Sequence, residues 1–255
     1  MQGNQEQNIT DKQHLISSRE IMIFLLSIAG GSVDAIIILS FNVLTAAQTG
    51  NTILLAVALA QGNFTAGYFS AVSIAAYITG ALLGESIIVS RKKSSSRLGP
   101  VGWTLFTELI LLIILILFWL FFGPVQTTIH TTILISLTAC AMGIQSAAVL
   151  MLHSGPATTY VTGTITSFST KLMWWLYHFG TPVPRVINNS DSQDSGFWSG
   201  RNPWIFGISW IIYLCGAIGG AVVYLWVGLA AFVIPLICIA VIIIIAAVSE
   251  REMGI

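Results

Sequence analysis

The residue with most chemistry to offer is Asp34, an acid set about 13 residues into the first apolar stretch, or roughly 20 Å along a helix axis. No basic residue lies in any of the long apolar runs to pair with it. A carboxyl group there must carry a proton, be held by hydrogen bonds, or face a wet cavity. The chemistry it suggests is proton or cation coupling, and the plainer reading is a helix-to-helix hydrogen bond. A second constellation is Thr49, Gly50, Asn51 and Thr52, echoed later by Thr162, Gly163 and Thr164. Glycine lets a backbone bend and approach closely, while threonine and asparagine supply uncharged ligands and helix caps. Free N–H groups at such a helix start favour an anion or an electronegative atom of a solute. Gln48 and Gln145 are placed to line the same cavity. The bland alternative is that these residues only end one helix and begin the next.

Other polar residues carry less. Glu85 and Glu108 fall near the Arg91 to Arg97 basic cluster and read as interfacial ion pairs. His130, His153 and His178 are scattered without metal-ligand spacing, and Cys140, Cys215 and Cys238 lie in apolar runs as packing residues. Trp174, Trp175 and Tyr177 beside Lys171 read as an aromatic belt at headgroup level. No zinc-protease, nucleophile-elbow or phosphate-loop pattern occurs, so the expectation is no catalytic residue, no metal and no cofactor.

The elements that must position these groups follow from composition. Of 255 residues, 55% are hydrophobic and only 20 are charged, where a soluble chain would carry roughly 64. A mean hydropathy of +0.87 agrees, and zero net charge argues against nucleic acid as a partner. The partner is a lipid bilayer. Runs long enough to cross about 30 Å of hydrocarbon occur at 21–41, 68–90, 103–122, 129–152, 204–226 and 228–248. In lipid every backbone polar group needs an internal partner, so the spans are helices and the fold is an all-α integral membrane protein.

Six crossings with a cytoplasmic N-terminus put the tail (1–20), the 91–97 linker, the linker holding Arg185 and the C-terminus on one side. All ten basic residues then lie inside, and the three outer connections carry no charge. Two apolar segments, 49–61 and 162–179, fit no simple hairpin and read as half-helices that enter the membrane or lie along it. The chain also repeats itself. Gly30, Ala35, Leu39, Thr45, Thr49 and Gly50 recur 113 positions on as Gly143, Ala148, Leu152, Thr158, Thr162 and Gly163. Tyr77, Gly80, Ala81 and Gly84 recur 136 positions on as Tyr213, Gly216, Ala217 and Gly220. A 23-residue polar insertion at 181–203 reconciles the two offsets. This register sets Ala147 opposite Asp34. Each repeat, 21–122 and 129–248, holds an odd number of spans, so the second must run through the membrane inverted. The expected fold is six transmembrane helices as two inverted three-helix repeats, each with a short half-helix after its first span.

The runs Ser32-Val33-Asp34-Ala35, Gln48-Thr49-Gly50-Asn51-Thr52, Met142-Gly143-Ile144-Gln145 and Val161-Thr162-Gly163-Thr164 together resemble the YoaK-type family of multipass membrane proteins, over roughly residues 20 to 248. The resemblance implies an integral membrane protein and assigns no activity. The 181–203 stretch looks like an insertion relative to the compact family pattern.

Inverted repeats with interrupted helices recur in transporters, whose solute sites form near the bilayer midplane. The leading expectation is therefore a small-solute or ion transporter or channel of the cell membrane. The competing readings are a non-catalytic membrane subunit, whose small-residue motifs Gly80 to Gly84 and Gly216 to Gly220 pack against a partner or a second copy (a homo-oligomer), and a lipid-modifying enzyme using Asp34 and Glu85.

Overall fold

A computed structural model describes residues 18–91, 98–123, 127–152, 161–177 and 203–253. The described residues form α1 (Ser18–Phe41), α2 (Gln48–Ala60), α3 (Phe64–Arg91), α4 (Pro100–Phe122), α5 (Thr128–Met151), α6 (Val161–Tyr177), α7 (Pro203–Val227), a 3-10 turn (Gly228–Phe232) and α8 (Val233–Met253). Residues 1–17, most of the 91–97 linker, His153, Thr158, His178 and most of the 181–203 insertion lie outside them, as do the side chains of Trp174, Trp175 and Tyr177.

Three helix ends follow directly from their residues. Pro100 opens α4, where its missing N–H costs nothing, and Gly123 closes it at φ 66°, its own N–H bonding the Trp119 carbonyl. Thr127 caps α5, its hydroxyl accepting from the His130 N–H at 3.3 Å. Among the described residues five helical stretches are long and apolar enough to cross a bilayer, the last running over Trp204–Val248. Sequence reading expects two spans in that last stretch; a 3-10 turn, Gly228–Phe232, interrupts it, with Gly228 at φ 60°.

The centre of the bundle is α1 and α5. Of their apolar windows 67% and 72% is buried, against 22% for α3 and α4, so the latter turn their apolar surface outward. The core joins Leu26, Ile36 and Ile37 of α1 to Leu112 of α4, Met142 of α5 and Ile239 of α8.

Two close helix pairs hold this centre. A Cβ at Gly216 would fall 2.6 Å from the Ile28 carbonyl oxygen, and one at Gly220 2.7 Å from the Ser32 Cα, so α7 runs parallel to α1 in backbone contact. A Cβ at Gly80 would fall 2.8 Å from the Cys140 Cα and one at Gly84 2.8 Å from the Ala147 Cβ, so α3 runs parallel to α5 in the same way. The facing glycines match too: Gly31 lies against Tyr213 and Ala217, and Gly143 against Tyr77 and Ala81. Exchanging α1 with α5 and α3 with α7 carries one contact set onto the other.

That exchange corrects the repeat register. Ile28, Gly31 and Ser32 correspond to Cys140, Gly143 and Ile144, an offset of 112 rather than the expected 113. Gly30 and Gly143, identical by type, are therefore not equivalent by contact. Ser146, not Ala147, is the counterpart of Asp34. The other expected offset, 136 from Tyr77 to Tyr213, stands in these contacts.

Adding a methyl at these crossings forces backbones apart, at about 1–3 kcal/mol. Gly80→Ala and Gly216→Ala are expected to lose that much stability in detergent or nanodiscs. Gly219→Ala, where a Cβ meets nothing within 4 Å, should stay within about 0.5 kcal/mol of the parent. Equal melting of all three variants would contradict the packing described.

Candidate functional site

After α1 the chain does not leave the bundle. Asn42, at φ 57°, turns it, and residues 43–47 fold back beside the helix they have just left. The fold-back reaches Asp34, seven residues before the end of α1, or about 10 Å along its axis. From there α2 runs antiparallel to α3, Asn51 meeting Ser73 and Ala58 lying by Gly67.

Asp34 is 4% exposed, and three donors hold it. Oδ1 accepts the N–H of Thr45 at 2.9 Å and of Ala46 at 2.8 Å. Oδ2 accepts the Tyr213 hydroxyl of α7 at 3.0 Å. Of the three states open to this acid on sequence, the structure gives the hydrogen-bonded one. The carboxylate acts as a staple, tying the folded-back segment of one half to a helix of the other. Its counterpart repeats the geometry with a neutral group: Tyr77 donates to Ser146 Oγ at 2.7 Å, and Ser146 donates to the Met142 carbonyl at 2.8 Å.

Asn51, fully buried, holds the same segment from the other side. Its Oδ1 accepts the Leu44 N–H at 2.9 Å, and its Nδ2 donates to the Leu44 carbonyl, as a neighbouring strand would. The same nitrogen lies 2.9 Å from Gln48 Oε1 and from Ser73 Oγ, while Ser73 donates to Leu44 O at 2.7 Å. Gln48 Nε2 donates to the Thr45 carbonyl at 2.8 Å. Gly50 leaves open the place that Leu44 Cδ1 occupies. Gln48 and Asn51 thus spend their amides on the fold-back.

The remaining predicted residues divide. Thr49 is exposed, and so is Thr52, whose hydroxyl bonds Gln48 O at 3.0 Å. Thr162 and Gly163 are exposed at the start of α6, and Thr164 is buried. Because α2 seats on α3 and α6 on α7, the two Thr-Gly motifs are held by different helices. Gln145 is buried, and its Nε2 donates to the Leu26 carbonyl of α1 at 3.0 Å, about 12 Å along that helix from Asp34.

Tyr213, Thr45 and Ser73 were not singled out as site residues by sequence. Tyr213 was visible only as half of the Tyr77/Tyr213 repeat. Thr45 Oγ1 is buried beside Asp34 with no hydrogen-bond partner among the described residues. Glu108 departs from its expected interfacial ion pair: it is wholly buried, whereas Glu85 is exposed and the Arg91 guanidinium stacks 4.4 Å over Trp103. No group of three or more His, Cys, Asp or Glu suited to a metal occurs among the described residues.

A cavity of about 150 Å³ opens where α1, α4 and α7 end and α5 begins. Ser40, Trp119, Phe122, His130, Tyr224 and Leu229 are among its lining residues. Both halves of the chain contribute to it.

Comparison with known proteins adds a family. The family described as a protein of unknown function (DUF1275) matches residues 22–245. Over 151 residues the chain is 30% identical to the UPF0700 transmembrane protein YoaK of Bacillus subtilis (strain 168), a match covering 58% of this chain and 65% of that protein. The matched stretch thus spans just under two thirds of that relative's length. No solved structure matches. With most of its length matched, a transmembrane relative and several apolar helices of crossing length, the chain is a multipass membrane protein that belongs to the DUF1275 family.

Proposed function

We propose that this protein is a transporter or channel for a small solute or ion in the cell membrane, built as two inverted three-helix repeats with both termini cytoplasmic. The observation that carries the reading is the fold-back at residues 43–47, stapled by Asp34 to Tyr213 of the opposite half. Non-helical backbone at membrane depth occurs only where protein buries it or where it lines a watery path, and interrupted helices of this kind form solute sites in repeat-built transporters.

Three further features support it. A 45-residue helical stretch would measure about 68 Å if straight, more than twice the hydrocarbon core, and its 3-10 break turns it into two crossings, six in all. Parallel pairing of α1 with α7 and of α3 with α5 is what spans of like parity require. In that topology the ends of α1, α4 and α7 and the start of α5 all face outside, where the 150 Å³ cavity brings them together.

Within this reading Asp34 is a positioning residue. It fixes the start of α2, where Thr45, Gln48, Gly50 and Asn51 pack in or against the fold-back and leave Thr49 and Thr52 exposed as the polar groups a solute can meet. Thr162, Gly163, Thr164 and Gln145 supply polar groups from the second repeat. Rocking of one repeat against the other must break or strain the Tyr213 bond, which couples the fold-back to that motion.

Two experiments test the proposal. Single cysteines at Ser94 and Asn63, in a background lacking Cys140, Cys215 and Cys238, should react with an impermeant maleimide from inside and outside respectively; labelling of both from one face removes the topology. For transport, a thermal-shift panel of sugars, amino acids, nucleosides and carboxylates identifies a stabilising solute, which is then followed in proteoliposomes. Tyr213→Phe is expected to slow flux about tenfold, equivalent to some 1.4 kcal/mol. Asp34→Asn should slow flux at least as much and leave insertion intact, and flux equal to the parent in both variants would sink the role given to the staple.

A further inference from the structure

One acid in the bundle has no part in the staple. Glu108 lies on the buried stripe of α4 with Thr104, Leu105, Leu112 and Leu115, and none of these five side chains is more than 1% exposed. Both carboxyl oxygens of Glu108 lack a hydrogen-bond partner among the described residues. The nearest hydroxyls on its own helix are spent: Thr104 donates to the Pro100 carbonyl at 2.8 Å and Thr107 to the Trp103 carbonyl at 3.0 Å.

The helices packed on α4 offer little more. From α5 the titratable groups are His130 and Cys140; His130 packs against Phe118 and Phe122, 10 and 14 residues from Glu108 along α4. From α8 they are Cys238 and, in the last turn, Glu250, Arg251 and Glu252, whose side chains lie outside the described residues. From α3 they are Tyr68 and Glu85, which are exposed, Tyr77, whose hydroxyl donates to Ser146, and Arg91, whose charge faces Trp103. The 3-10 turn brings none.

An ionised carboxylate stripped of water, donors and cations costs several kcal/mol. Hard metal ions do not answer that cost, because they take about six oxygen ligands and this stripe supplies leucines. A proton needs one carboxylate oxygen and leaves a neutral acid, whose unpaired burial costs far less than that of a charge. We propose that Glu108 is an intramembrane proton-binding site: it takes a proton from water when its face of α4 opens, holds it as a neutral acid in the packed state, and returns it on the next opening. No bond other than O–H forms or breaks, so proton uptake equals release. As the coupling site of a transporter this rests on the function proposed above; as a proton-binding site it does not.

The test uses the full chain in nanodiscs and compares the parent with Glu108→Gln, a neutral near-isostere that should fold. Infrared difference spectra at neutral pH should show a protonated-carboxyl C=O band in the parent that shifts in D2O and vanishes in Glu108→Gln. Loss of a carboxylate band instead overturns the site. Linkage gives a second reading. A folded state holding a proton that the unfolded chain releases above about pH 5 must lose stability as pH rises. The parent should therefore melt at progressively lower temperature as pH rises above about 5, and Glu108→Gln should remove that contribution; identical slopes count against the site. In proteoliposomes Glu108→Gln is expected to keep solute exchange but lose accumulation driven by a pH gradient at least tenfold. Accumulation equal to the parent overturns coupling, and the infrared bands then decide the proton site by themselves, while absence of flux from both proteins counts against the transporter reading.

Discussion

Backbone groups inside an apolar bundle must bond to something, and the fold-back at residues 43–47 has left the helical ladder that would satisfy them. Side chains take over the task. Asp34 accepts from Thr45 and Ala46, Asn51 serves both polar groups of Leu44, and Gln48 serves the Thr45 carbonyl. The acid has the converse problem, since a buried carboxylate needs donors, and an irregular segment is where spare N–H groups are found. Each partner would be untenable without the other, so the placement of α2 depends on one carboxyl group eleven and twelve residues upstream.

The third donor to that carboxyl comes from far along the chain, and its position follows from close packing. Tyr213 is gripped at two points on α1: its backbone lies against Gly31 and its hydroxyl reaches Asp34, one helical turn on. Tyr77 does the same on α5, its backbone against Gly143 and its hydroxyl on Ser146. A side chain at either glycine would push the tyrosine away and break the hydroxyl contact with it. The two halves thus share a scaffold and differ in what it ends on, a carboxyl group serving a fold-back in one and a hydroxyl in the other.

Much of this was legible in the residues, and the boundary has physical causes. Long apolar runs and the demand for internal hydrogen bonding placed the helices to within a few residues, and the short segment after the first span appears as α2, Gln48–Ala60. Asp34 stood out because a charge in hydrocarbon is rare. What could not be read was its partner. A tyrosine 179 positions away has no local signature, and backbone N–H donors have no letter in the sequence. The repeat register slipped by one because small residues recur often in packed helices: Gly30 sits beside Gly31, and only the crossing decides which of them meets α7. Glu108 was misread for a related reason. Its nearness in sequence to basic residues said nothing about which way its stripe of α4 faces.

The contrast between the two acids explains why their roles divide. A regular helix has spent its interior N–H groups on its own carbonyls, so donors for a buried carboxyl exist only at side chains or where the chain breaks. Asp34 lies beside such a break and gains two backbone N–H groups and a phenol. Glu108 lies in the middle of α4, on a stripe of leucines, and gains none. A carboxyl group held by three donors resists change, because moving it unmakes three bonds at once; that suits a fixed post beside the start of α2. A carboxyl with no bonds to lose is held only by the proton it carries, and repacking of the helices around it is enough to let that proton go.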